Sequence, residues 1–184
     1  VYNTAYIEAE GDNRVFSSQW PSHPNQSEAT ATLVVNKSLN LSKQALQSDA
    51  EINGEIQWRI AFTNTNSLDY TNYKMLDVMP YNGDANGSSF DGSYTITATL
   101  TAPSEIKLYS STDKNVRGTN VSTVDETLFQ ELVPTQTLAD KNVYELNEDV
   151  TALLLKGTLP TFERYVLDIT LHPTNNLSLI HISE

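Results

Sequence analysis

Lys37 is the residue whose type and place most need a chemical explanation. In the run Thr32-Leu33-Val34-Val35-Asn36-Lys37-Ser38-Leu39 it shares alternate positions with Leu33, Val35 and Leu39. On a half-buried strand that parity aims Lys37 at the core. A lone ammonium in a core is strongly disfavoured, so such a lysine is expected to be paired, neutralised by a lowered pKa, or chemically consumed. The plainer alternative is that its stem lies along the edge of the fold and its head reaches water.

A second chemistry-bearing segment is Asn82-Gly83-Asp84-Ala85-Asn86-Gly87. Oxygen-bearing side chains at alternate positions followed by glycine imitate the opening of a calcium loop, which makes Asn82, Asp84 and Asn86 calcium candidates. The twelfth position is Ser93 rather than glutamate and the flanks read as strands, so turn chemistry explains the segment better. Conventional catalysis finds little to work with. The histidines are His23 in a proline-rich stretch, His172 at a strand end and His181 near the C-terminus. No nucleophile sits in a recognisable elbow, and no cluster of histidine and carboxylate has metal-ligand spacing. We therefore expect neither an enzyme nor a cofactor.

The elements that must position these residues are strands. Ile56, Trp58, Ile60 and Phe62 alternate with Gln57, Arg59, Ala61 and Thr63; Tyr94, Ile96, Ala98 and Leu100 alternate with Thr95, Thr97, Thr99 and Thr101. Tyr165, Leu167, Ile169 and Leu171 form a third such set, each pattern marking a strand with one buried face. Shorter strands are expected at Tyr2 to Ala9, Ala31 to Leu39, Tyr73 to Met79, Ile106 to Ser110, Val143 to Leu146 and Thr151 to Leu155. Turn clusters such as Asn53-Gly54, Asn82-Gly83, Asp91-Gly92 and Arg117-Gly118 separate them. Many short strands at this spacing predict an antiparallel sandwich. Ser18 to Glu28, carrying Pro21 and Pro24, reads as a linker. Val124 to Leu132 and Asn147 to Leu154 could each form a helical turn, the second capped by Asp149, although Leu153-Leu154-Leu155 equally fits a buried strand.

Bulk properties narrow the function classes. The chain has 184 residues, ample for a core, and a formal net charge of −12, which argues against a nucleic-acid partner. It contains no cysteine, so disulfides and thiol chemistry are excluded. Leu177 to Glu184 match the translation of a common sequencing-library transposase adapter, CTGTCTCTTATACACATCTCCGAG. We expect this segment to be non-biological, and the chain to be a fragment of a gene assembled from environmental DNA.

Several segments together carry a resemblance. They are a strand ending in Lys37, Gly54 to Asn66, the stretch Asp77-Val78-Met79-Pro80-Tyr81-Asn82-Gly83-Asp84, Thr151-Ala152-Leu153, and Gly157 to Pro160 before an alternating strand. From about Glu28 to Asn176 the chain resembles the tandem immunoglobulin-like repeats of Gram-positive cell-wall surface proteins and adhesin or pilin-like stalks. The resemblance implies an all-β, immunoglobulin-like sandwich over residues 28–176 that lacks its own last strand. Residues 1–17 would be the closing strand of a preceding repeat and 18–27 the linker. Val1 to Ala9 could fold back into the vacant strand position. The location implied is extracellular and wall-attached. The partners implied are neighbouring repeats and a host or cell-surface ligand, with no nucleic acid and no membrane contact.

Many domains of this kind form an intramolecular isopeptide bond between a lysine and an asparagine, promoted by a carboxylic acid. Carried onto this sequence, the resemblance makes Lys37 the amine donor and Asp77 the acid, with Glu55 as the alternative acid. The asparagine is expected beyond Asn176, with Asn3 as substitute if the N-terminal strand returns and Asn64 as a further candidate. A carbohydrate- or protein-binding adhesin module, using Trp20 or Tyr81, is the second function class.

Overall fold

A computed structural model of the chain describes residues 2–8, 26–32, 39–46, 54–82, 84, 93–147 and 150–175. The chain divides into two units, Val1–Lys37 and Ser38–Glu184. In the first, β1 (Tyr2–Glu8) and β2 (Gln26–Thr32) form a two-stranded antiparallel sheet running from Tyr2 opposite Thr32 to Glu8 opposite Gln26. β1 thus pairs with β2, its near neighbour along the chain, so closing that loop costs little conformational entropy. Of the strand expected over Ala31 to Leu39, Ala31 and Thr32 lie in β2 and Leu39 opens β3, while residues 33–38 lie outside the described residues. The division between units falls after Lys37.

The second unit is a β-sandwich. Its strands are β3 (Leu39–Ala45), β4 (Ile56–Asn64), β5 (Tyr70–Val78), β6 (Ser93–Thr101), β7 (Ile106–Ser111), β8 (Gln130–Glu131), β9 (Gln136–Thr137), β10 (Asn142–Leu146), β11 (Ala152–Leu159) and β12 (Arg164–Asn175). One sheet has the order β3-β4-β12-β6-β10-β9 and the other β5-β11-β7-β8, with antiparallel pairing throughout. The alternating runs behave as period-two geometry requires. Trp58, Ile60, Phe62, Ile96, Leu100, Leu167 and Leu171 turn inward from the larger sheet to meet Met75, Leu108, Leu153 and Leu155 from the smaller one.

Of the two readings open for Asn147 to Leu154, the leucines take the strand: β11 begins at Ala152, while Asp149 lies outside the described residues. The leucine run is a strand because the smaller sheet is buried on both faces. Leu153 and Leu155 join the sandwich core, while Ala152 and Leu154 pack in a second cluster with Val116 and Phe129. That cluster lies under a strap between β7 and β8. The strap carries two short 3-10 turns, Lys114–Val116 and Glu126–Leu128, the second inside the stretch where a helical turn was expected. Asp113 and Asp125 cap the turns by accepting hydrogen bonds from the backbone N–H groups of Asn115 and Thr127. Glu126 then ties the strap down by accepting from Lys156 on β11, at 2.8 Å, and from Lys74 on β5. These two lysines, directly opposite one another, hold the Glu126 carboxyl below its ordinary range.

One flank of the sandwich is uneven. Tyr73 of β5 packs on Phe62 of β4, ring centroids 4.5 Å apart, so β5 lies across from β4. β3 pairs beyond β4 in the larger sheet, whereas among the described residues β5 is the end strand of the smaller one. β3 therefore overhangs by one strand. Its core-side row, Leu41, Lys43 and Ala45, stands opposite Phe62, Ile60 and Trp58 in register yet remains exposed, Leu41 at 57%.

Candidate functional site

Asp77 sits at the inner side of this flank. The parity it shares with Tyr73, Met75 and Met79 turns it inward, and it is 7% exposed. Such a carboxylate requires partners, and it has two. Lys43 Nζ donates to Asp77 Oδ1 at 2.7 Å, and Trp58 Nε1 donates to Oδ2 at 3.2 Å. Lys43 comes from β3, Trp58 from β4 and Asp77 from β5, so the site joins the two sheets across their edges. The Lys43 ammonium also lies 5.4 Å from the Trp58 ring centroid, within cation–π range. The pair is lopsided, the lysine side chain being 51% exposed and the carboxylate 8%. An inward charge on an edge strand is a known guard against edge-to-edge association, and here each sheet contributes one.

Deeper along the same interior, the Tyr73 and Tyr165 hydroxyls are 2.7 Å apart. Burial pushes Tyr73 up to about 12, despite the opposing hydrogen bond from Tyr165. Tyr165, fully buried, is pushed further in the same direction by burial first, then by Tyr73 and by the negative charge of Asp77. For an acid whose folded pKa is raised, the associated stability is present below the ordinary tyrosine value near 10 and is lost as pH climbs toward the folded value. Absorbance titration should therefore show these two phenols silent up to about pH 11, with alkaline unfolding between roughly pH 10 and 12. Tyr73→Phe should shift that alkaline limb upward. Unchanged alkaline stability in this variant would count against the coupling.

The other sequence candidates are placed as follows. Lys37 and Asn86 lie outside the described residues, as does Trp20. Asn3 lies on β1 opposite Ala31. Glu55 is exposed and accepts from Gln57 Nε2 at 3.2 Å; it also bonds His172 Nδ1 at 3.0 Å. Asn64 is buried, but its amide is committed to structure: Nδ2 donates to the carbonyls of Leu68, Leu159 and Pro160, and Oδ1 accepts from Asn66 N. It ties the β4–β5 turn to the end of β11. Asn82 and Asp84 belong to a turn closed by Asp84 N donating to Tyr81 O at 3.2 Å. No group of three metal-ligating acidic, histidine or cysteine residues occurs among the described residues. Tyr81 stacks with Arg117, 4.8 Å from ring centroid to guanidinium carbon.

Lys43 is the residue that sequence reasoning missed, and the signal was present. In Leu39-Asn40-Leu41-Ser42-Lys43-Gln44-Ala45 it shares the parity of Leu39, Leu41 and Ala45, as Lys37 shares that of Leu33 and Val35. A second unforeseen network runs from Glu55 through His172 to Thr97, with His172 Nε2 2.9 Å from Thr97 Oγ1. The order hydroxyl, imidazole, carboxylate imitates a nucleophile relay. Thr97, however, lies in β6, paired on one side with Glu145 and on the other with Thr170, so neighbouring backbone donors are engaged in ladders rather than free to hold an oxyanion.

No protein-family model matches the chain, and no curated protein matches it. Among solved structures, the cupin domain of Schizosaccharomyces pombe Cnp3 is similar at 8% identity and a TM-score of 0.34, over 94% of this chain and 83% of that one. At that score the likeness carries no argument. The class defined by the fold is an all-antiparallel β-sandwich with an ion pair at one flank.

Proposed function

We propose that the chain is a non-enzymatic, extracellular β-sandwich repeat of a bacterial surface stalk or adhesin, with Lys43 as the amine of an intramolecular isopeptide cross-link. The observation that supports this reading is the contact between Lys43 and the buried carboxylate of Asp77, with Trp58 fixing the second oxygen. Asp77 takes the proton that makes the Lys43 amine nucleophilic. The amine adds to the side-chain carbonyl carbon of an asparagine and the new C–N bond forms; as the bond to the amide nitrogen breaks, that nitrogen takes the proton held by Asp77 and the second proton shed by the former amine, and leaves as ammonium while Asp77 returns to carboxylate. A cross-link between edge strands resists extension without an oxidising compartment, which suits a chain with no cysteine.

The test is intact-mass measurement of the repeat joined to its expected closing strand. A mass lower by one ammonia, restored to the full value by Lys43→Arg and by Asp77→Ala, is the expected result. Full mass in the unmodified protein would overturn the cross-link, and with it the preference for Lys43 over an ordinary ion pair.

A further inference from the structure

The strap between β7 and β8 is anchored near both ends, and its crest stands in solvent. Val116 and Phe129 are buried in the second cluster, and Glu126 is ion-paired to Lys156 and Lys74. Between these anchors Asn120, Val121, Ser122 and Thr123 are all exposed. The first three make an Asn-x-Ser triplet, the pattern in which an asparagine amide can receive a sugar.

One other such triplet lies wholly among the described residues, Asn40-Leu41-Ser42 on β3. Its setting is different. Asn40 and Ser42 are held in an extended ladder opposite Thr63 and Ala61, whereas Asn120 opens a turn in which its carbonyl accepts from Thr123 N at 3.0 Å and Val124 N at 2.9 Å. A transferase must take the acceptor backbone into its own cleft, which a paired strand resists and a loop crest permits.

The side chains at the crest are arranged for the reaction. Ser122 donates twice to Asn120 Oδ1, from its backbone N at 2.9 Å and from Oγ at 2.6 Å. Closing the turn needs only the backbone bond. The hydroxyl bond adds a second donor on the same oxygen, and Nδ2 has no hydrogen-bond partner among the described residues. An amide nitrogen is a poor nucleophile because its lone pair is shared with the carbonyl. Donors on the carbonyl oxygen favour the form that has given up an N–H proton, which is the form that attacks.

We propose that Asn120 is an acceptor for an N-linked sugar. The co-reactant is a sugar carrying a diphosphate leaving group at its anomeric carbon. Nδ2 bonds to that carbon, the bond from the carbon to the phosphate oxygen breaks with its electron pair leaving on the phosphate, and the nitrogen sheds one proton. A sugar here stands clear of both sheets and covers the part of the strap most open to proteases. This inference goes beyond the cross-link reading and does not rest on it.

The purified full chain is incubated with UDP-glucose and a soluble N-glycosyltransferase that recognises Asn-x-Ser/Thr, then read by intact mass and peptide mapping. The same chain after denaturation shows that the enzyme is active. We expect one hexose on Asn120 of the folded chain, lost in Asn120→Gln and in Ser122→Ala and kept in Ser122→Thr. No hexose on Asn120 of the folded chain, equal modification of Asn40, or unchanged transfer in Ser122→Ala would overturn the proposal.

Discussion

Gly157→Ala should be the most damaging small substitution in the sandwich, lowering stability by about 3–5 kcal/mol through backbone strain and overpacking together. Gly157 has φ of 148°, a region essentially reserved for glycine, at the slip in the β11 ladder. A Cβ there would penetrate the backbone carbonyl of Glu105, the same oxygen that accepts a hydrogen bond from Thr158 N at 3.2 Å. Neither partner is the movable end of a side chain, so relaxation means moving the β6–β7 connection or β11 itself. Gly118 provides the control. Its φ of 73° lies nearer the ordinary left-handed region, and an added Cβ would meet only the Tyr81 hydroxyl at 3.9 Å. Gly118→Ala should cost about 1 kcal/mol. Urea denaturation of both variants measures the difference; equal losses would show that the Glu105 contact is not what excludes a side chain.

Asp77→Ala is the second large effect, expected at about 3 kcal/mol, most of it from stranding a buried donor. The substitution removes the acceptor of Trp58 Nε1 in a site where Trp58 is 4% exposed. The ion pair itself adds less than its 2.7 Å separation suggests, because the half-exposed Lys43 can return to water. Asp77→Asn keeps an oxygen for the indole and gives up only the charge, so it should cost about 1 kcal/mol. Lys43→Met works in the other direction, leaving the carboxylate buried with the indole alone; about 1–2 kcal/mol is expected after allowing for exposure. The indole N–H resonance of Trp58 should move in Asp77→Ala and hold in Asp77→Asn. If alanine and asparagine were equally tolerated at 77, the Trp58 hydrogen bond would not be what holds this flank.

The fold class was legible because alternation was clean wherever only one face of a strand is buried. The patterns around Trp58, Ile96 and Leu167 each produced a strand with the inward set expected of them. Leu153-Leu154-Leu155 left helix and strand open for the opposite reason. A strand apolar on both faces has no period to read, and its second face is covered by a strap whose residues lie far off in sequence. The inward parity of Asp77 was only half readable, because the apolar Leu76 and Val78 beside it offer a second face to bury. Those two belong with the second cluster under the strap.

What the sequence determined by itself was which faces residues take: Lys43 and Asp77 both fall on core-side positions of strands, and a −12 chain without cysteine must stabilise any buried charge by pairing it. Tertiary structure decided which of these residues meet. Parity has only two values per strand, whereas contact between β3 and β5 depends on how two sheets are offset and on which strand overhangs. Those quantities are set by the joint packing of the whole core. The same offset leaves Lys43 half in water above a buried carboxylate, an arrangement that no local pattern could specify.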